Sequence, residues 1–162
     1  MLFLLSCSAF GEPLSTSEAL IIRDEVSATI RAFQDGDTDA YAESMHESLR
    51  RLYGGAAGLK RAMSEARERV HSSGVTFVDT TVTAPAQSIR AGSKEICFIP
   101  YKSIVRIGQK LATSVSYFVA IREGKKPWTF IDGSLFRDRP ELIRELLPEL
   151  SRMIQLPPNF VR

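Results

Sequence analysis

Hydrophobic periodicity in this chain switches from helical to strand spacing at Gly74, and that switch limits the possible architecture. Before it, Ile22, Val26, Ile30 and Phe33 recur at the spacing of one helical face, with Arg23, Asp24 and Arg31 on the other. After it, from Val75 onward, Val, Ile, Thr, Phe and Tyr alternate with polar residues at period two, the pattern of half-buried strands. Helices followed by strands within 162 residues point to one α+β domain, its helices packed on an antiparallel sheet.

Boundary residues give the expected elements. Ser15 or Ser17 caps a first helix with Glu18 in its first turn, and Gly36 stops it. Asp37 caps a second helix running through Ala40, Met45 and Leu49 to the break at Gly54-Gly55. A third helix carries Leu59, Met63 and Val70 on its apolar side, with His71 in its last turn. Strands are expected over residues 75–83, 95–107, 110–122 and 128–136, with a short one near 87–91. The turns between them, Ala91-Gly92-Ser93, Gly108-Gln109 and residues 123–127, are short enough for a meander. A last helix is expected over about 140–155, kinked or split at Pro148 and stopped by Leu156-Pro157-Pro158. One face of the 110–122 strand holds Ala112, Ser114, Ser116, Phe118 and Ala120. Small residues there let another element approach closely or leave a hollow.

The net charge of +2 is dispersed, and no basic block interleaves with aromatics, so nucleic acid is not an expected partner. No run approaches the ~18 apolar residues of a membrane span. Residues 1–13 read as the end of an export signal, leaving a single domain over residues 14–162. Leu4-Leu5-Ser6-Cys7 resembles a bacterial lipobox, which would make Cys7 a lipidated, membrane-attached first residue. Ala9-Phe10-Gly11 instead suits an ordinary signal peptidase and a soluble periplasmic product. No basic residue precedes the apolar run, and the competing reading is a buried N-terminal strand of a cytoplasmic protein. Cys97 lies in an apolar strand and reads as a small buried hydrophobe.

The order of these pieces resembles the nuclear transport factor 2-like superfamily, the cystatin-like cone shared by snoal-like cyclases and ketosteroid isomerase-like enzymes. The matching pieces are Phe33, Asp35-Gly36-Asp37, Thr38-Asp39-Ala40-Tyr41 and Met45-His46, then Gly55-Ala56-Ala57-Gly58-Leu59-Lys60 and Trp128-Thr129-Phe130-Ile131-Asp132-Gly133. They span roughly residues 15–136. The resemblance implies helices on a strongly curved antiparallel meander around a conical cavity. Here a C-terminal helix is added that could close the cone's mouth or form a homodimer surface. Family members include enzymes and proteins without chemistry, so function has to come from the site.

Asp132 is the best candidate catalytic group, because an acid among aromatics can have a raised pKa and act as general acid or base. The competing reading is a carboxylate bonded to local amides at a strand end. His46 comes next as a proton carrier. Tyr41, Tyr53, Tyr101, Trp128 and Phe130 complete the expected lining for a small, partly apolar ligand. Asp79 alternates with Phe77 and points either way. Two isolated histidines give no metal-ligand spacing, and no cofactor motif is present. The glycine-rich segment at residues 54–60 lacks Walker spacing. Lys102, Arg106, Lys110, Arg122, Lys125 and Lys126 read as a charged sheet edge. The reading is of an exported binding or accessory protein. A cofactor-free enzyme using Asp132 and a protein–protein scaffold are the alternatives.

Overall fold

The computed structural model describes residues 11–150 and 154–162. Cys7 and the rest of the candidate lipobox lie outside the described residues, as do residues 151–153 of the expected last helix. In chain order the elements are β1 (Glu12–Pro13), α1 (Thr16–Asp35), α2 (Thr38–Ser44), α3 (Glu47–Leu52) and α4 (Ala56–Ser72). There follow β2 (Val75–Val82), β3 (Gln87–Ala91), β4 (Lys94–Ile107), β5 (Lys110–Glu123) and β6 (Thr129–Asp132). A 3-10 helix (Gly133–Phe136), α5 (Leu142–Leu146) and β7 (Phe160–Val161) complete the chain.

The domain is α+β, with a seven-stranded antiparallel sheet that is not closed. Its spine is the long β4–β5 hairpin, paired without a slip from Lys94↔Glu123 to Ile107↔Lys110. β2 and β3 share the outer edge of β4, and β6 and β7 share the outer edge of β5. The short terminal strands β1 and β7 carry no periodic signal and pair only through tertiary contact, with β3 and β5.

The N-terminal helices cover one face. Ser15 caps α1 by accepting from the Glu18 amide, and Gly36 ends it at φ 82, a left-handed conformation that costs glycine little. Ile22, Val26, Met45, Leu49 and Leu59 are fully buried beneath these helices. Each contributes about 1.5–3 kcal/mol relative to exposure. At the helix–sheet seam, Gln34 donates to Thr80, which bonds Ser103 across β2 and β4. The C-terminal segment covers the other face with Phe136, Ile143, Leu147 and Leu150. Residues 116–121 of β5 are consequently buried on both faces.

Two expected helices come out differently. The second does not run to Leu49: α2 stops at Ser44, and Met45 and His46 are extended, with ψ near 145. The cause is tertiary. Met45 bridges Phe130 of β6, and the His46 amide donates to the Phe130 carbonyl at 2.7 Å. At the C-terminus the regular helix among the described residues is Leu142–Leu146, closed ahead of Pro148. Proline has no amide to continue the ladder. Leu147 and Leu150 still reach the core, from non-helical backbone.

The expected charged edge is also more structured than its sequence suggests. Arg122 pairs with Glu18 at 2.5 Å and Glu95 at 2.6 Å, and its guanidinium lies 4.3 Å from the Trp128 ring centroid. Glu95 accepts a further bond from Ser88. One half-buried arginine thus joins α1, β3, β4, β5 and the start of β6.

Candidate functional site

The site is built where β6 ends. Asp132 closes the strand, and its Oδ1 accepts from the Ser134 amide at 2.8 Å, capping the 3-10 helix. The abrupt turn depends on Gly133. A Cβ there would lie 2.7 Å from the Tyr117 ring and 2.8 Å from its carbonyl oxygen. The Tyr101 hydroxyl donates to the same Oδ1 over a long 3.4 Å. Both readings drawn for Asp132 therefore apply together: it bonds a local amide and also a tyrosine hydroxyl. Burial pushes its pKa up from the ordinary carboxyl value. The Ser134 amide and hydroxyl, the Tyr101 hydroxyl and the Arg137 charge pull it partly back.

Phenols surround this acid. Tyr101 of β4 stands opposite Ser116 of β5, and Phe118 opposite Asp132, so all four share a sheet face. The Tyr101 and Phe118 rings are 5.5 Å apart, and Phe118 meets Phe130 edge-on at 6.4 Å. Tyr41 approaches from α2, its ring 5.9 Å from Phe33. Tyr53 caps the C-terminus of α3. Burial, and then the nearby Asp132 charge, raise the pKa values of Tyr41, Tyr53 and Tyr101. Each hydroxyl is therefore held in its donor form. Ser116 is fully buried and, although the Tyr101 hydroxyl opposite it lies close enough to feel it, its Oγ makes no well-formed hydrogen bond among the described residues. That is a cost of about 1–3 kcal/mol that a ligand or water would remove.

A cleft of about 490 Å3 opens beside this group, between the end of α3, the 3-10 helix and the start of α5. Tyr53, Ser134 and Arg137 line it together with apolar Leu52, Leu135 and Leu142. Asp132, Tyr101 and Tyr41 do not line it themselves; Asp132 reaches it through its bond to the Ser134 amide. Glycine sets the position of Tyr53 as well. Gly54 and Gly55 have φ of 77 and 100, and a Cβ on Gly58 would overlap the Tyr53 carbonyl. The glycine-rich segment thus docks α4 closely against Tyr53. Arg50 and Arg51 form the last turn of α3, where Arg51 pairs with Glu47, and Lys60 pairs with Asp39.

His46 and Trp128 lie elsewhere. They line a separate cleft of about 380 Å3 with Ile121, Thr129, Glu123 and Lys126. His46 caps α3, its Nδ1 accepting from the Ser48 amide at 3.2 Å and lying 2.7 Å from the Ser48 hydroxyl. An amide can only donate, so the proton of the neutral ring sits on Nε2. Burial and Lys94 lower its pKa against the opposing pull of Glu47 and Glu123. Phe130 is core, and with Trp128 it borders a third hollow against α1 and α2. Asp79 and His71 are exposed. Burial drives the Cys97 thiol up to about 12, which leaves it protonated and unreactive. Among the described residues no cluster of His, Cys, Asp or Glu could hold a metal, and no helix is long and apolar enough to cross a membrane.

Of the residues expected from sequence, Asp132, Tyr41, Tyr53 and Tyr101 converge, whereas His46 and Trp128 do not join them. Ser134 and Arg137 line the cleft and Ser116 stands opposite Tyr101, and none of the three was expected from sequence. Ser116 did carry a signal, since it lies on the small-residue face of β5. No family model and no curated protein matches this sequence.

Proposed function

We propose that this is a binding protein of the nuclear transport factor 2-like cone type. It takes a small, partly apolar ligand whose hydroxyl or carbonyl meets Tyr53 and Ser134, in front of Asp132. The observation that carries this reading is a half-buried acid bonded by a tyrosine hydroxyl beside an open cleft, with a fully buried serine hydroxyl on the same sheet face that makes no well-formed hydrogen bond among the described residues. Buried polar groups are normally satisfied, and exceptions concentrate where something else binds. The order of helices and strands supports the cone. Export, either as a lipoprotein modified at Cys7 or as a soluble envelope protein, is part of the proposal and rests on the N-terminal sequence alone. A diacylglyceryl-modified Cys7 in the intact mass of the native protein would support anchoring; an unprocessed Met1 would refute export.

Calorimetric titration with para-cresol tests the binding reading. Saturable binding is expected, weakened about tenfold in Tyr101→Phe, because that hydroxyl organises the carboxyl behind the cleft. Absence of binding, or unchanged binding in the variant, contradicts it. A second reading, cofactor-free proton transfer, is favoured by one specific observation: burial holds the Asp132 carboxyl above its ordinary pKa within reach of a tyrosine hydroxyl. It requires substrate to reach past Ser134 and predicts that Asp132→Asn retains binding while abolishing exchange of an acidic ligand C–H with deuterated water.

A further inference from the structure

Arg137 differs from two other half-buried cations of this protein. Arg122 has two carboxylates and Lys94 has Glu149 at 2.9 Å. Arg137 forms no ion pair among the described residues. Its Nε donates to Asn159 Oδ1 and one Nη to Ser114 Oγ, each at 3.1 Å. Both partners are neutral, and the remaining Nη has no partner among the described residues. Asn159 is itself fixed, donating to the Gly133 carbonyl at 2.8 Å, while the adjacent β7 pairs with β5. The guanidinium is therefore held in place from two sides on the wall of the cleft without a salt bridge among the described residues, the Asp132 charge acting on it only at longer range. Asp138 at the exposed rim makes no salt bridge to it, and the neighbouring Arg139 pairs with Glu141 at 3.7 Å.

A guanidinium held open at a cleft wall suits the planar, two-oxygen geometry of a carboxylate. The remaining lining suits an apolar body, with Leu52, Leu135 and Leu142 on one side and Tyr53 on the other. Ser134 lines it as well, and the buried Ser116 hydroxyl lies on the strand face that also holds Ser114. We infer that the ligand class is a small hydroxylated carboxylic acid, its carboxylate on Arg137 and its apolar body across the cleft, with the hydroxyl directed toward Ser134 and Tyr53. This rests on the binding reading above and adds the anionic group that reading leaves open.

Two probes of the same shape separate the claims: para-hydroxyphenylacetate and its neutral amide, para-hydroxyphenylacetamide, each titrated calorimetrically into the full chain. The carboxylate is expected to bind at least about tenfold more tightly than the amide, the scale of one charge-assisted contact. Arg137→Gln should collapse that preference to within about twofold, and Arg137→Lys should keep part of it. Because Arg137 also ties down the C-terminal segment, Asn159→Ala serves as the control. It loosens the same segment while keeping the charge, and should retain a preference for the carboxylate. Equal affinity for the two probes in the wild type overturns the anion assignment while the binding reading stands. A preference that survives Arg137→Gln overturns the assignment to Arg137. Binding of neither probe overturns both.

Discussion

Asp132 and His46 are both titratable and both held by a neighbouring backbone amide, one at the end of β6 and the other bonded to it, yet their surroundings differ in kind. Around His46 the polar groups are satisfied locally: Ser48 supplies both contacts to Nδ1, and Lys126 pairs with Glu123 within one turn of the cleft lining. Around Asp132 the acid meets a tyrosine hydroxyl directly and the Arg137 charge only at a distance, and among the described residues Arg137 forms no salt bridge and the Ser116 hydroxyl makes no well-formed hydrogen bond. A satisfied cluster has its stability without a ligand, whereas an unsatisfied one has binding free energy to gain. The contrast teaches that chemical type alone does not mark a site. Histidine is the more versatile proton carrier, but here it serves as a helix cap.

The largest effect should come from the turn that creates the Asp132 region. Gly133→Ala forces a methyl into Tyr117 and should cost about 3 kcal/mol in urea unfolding. A loss under about 1 kcal/mol would mean that the region is looser than described. On the other side, Ser48→Ala removes a hydroxyl from His46 but keeps the amide contact, and should cost about 1 kcal/mol. Next, Asp132→Ala should destabilise by about 1–2 kcal/mol through loss of the 3-10 helix cap, while Asp132→Asn, which can still accept from Ser134, should recover most of that. Equal losses in the two variants would show that charge rather than capping matters.

The smallest effect, and the most diagnostic, is the sign of pH dependence. The folded-state pKa of Asp132 is raised, so its contribution to stability is present below the ordinary carboxyl value of 3.8 and is lost as pH rises through the folded value. The folded-state pKa of His46 is lowered, so its contribution is present above 6.5 and is lost as pH falls through the folded value. Subtracting the stability–pH curves of Asp132→Asn and of His46→Gln from that of the wild type should therefore give slopes of opposite sign. Slopes of the same sign would erase the contrast.

How much of this was readable in sequence follows from how local each cause is. The joint at residues 35–37 was legible because glycine and aspartate act on their own backbone: Gly36 takes the left-handed conformation and Asp37 accepts from the Ala40 amide. The β4–β5 hairpin was legible from alternation and from Gly108. The break at Met45-His46 was not, because it is made by a bridge to Phe130, more than eighty residues away in the chain. The C-terminal leucines satisfied a helical pattern that Pro148 cuts short. In the site, Asp132 and Tyr101 stood out as an acid and an aromatic in strands. Arg137 did not, since its isolation is visible only once Ser114 and Asn159 are seen to be its partners.

The central claim is that the Asp132 side of the molecule, and not the His46 side, receives a ligand. Mapping backbone and side-chain NMR shifts during titration with para-cresol tests it most directly. The account predicts saturable shifts at Tyr53, Tyr101 and Ser134 and none at His46, Thr129 or Trp128. Shifts confined to the His46–Trp128 cleft, or no shifts at saturating ligand, would contradict it.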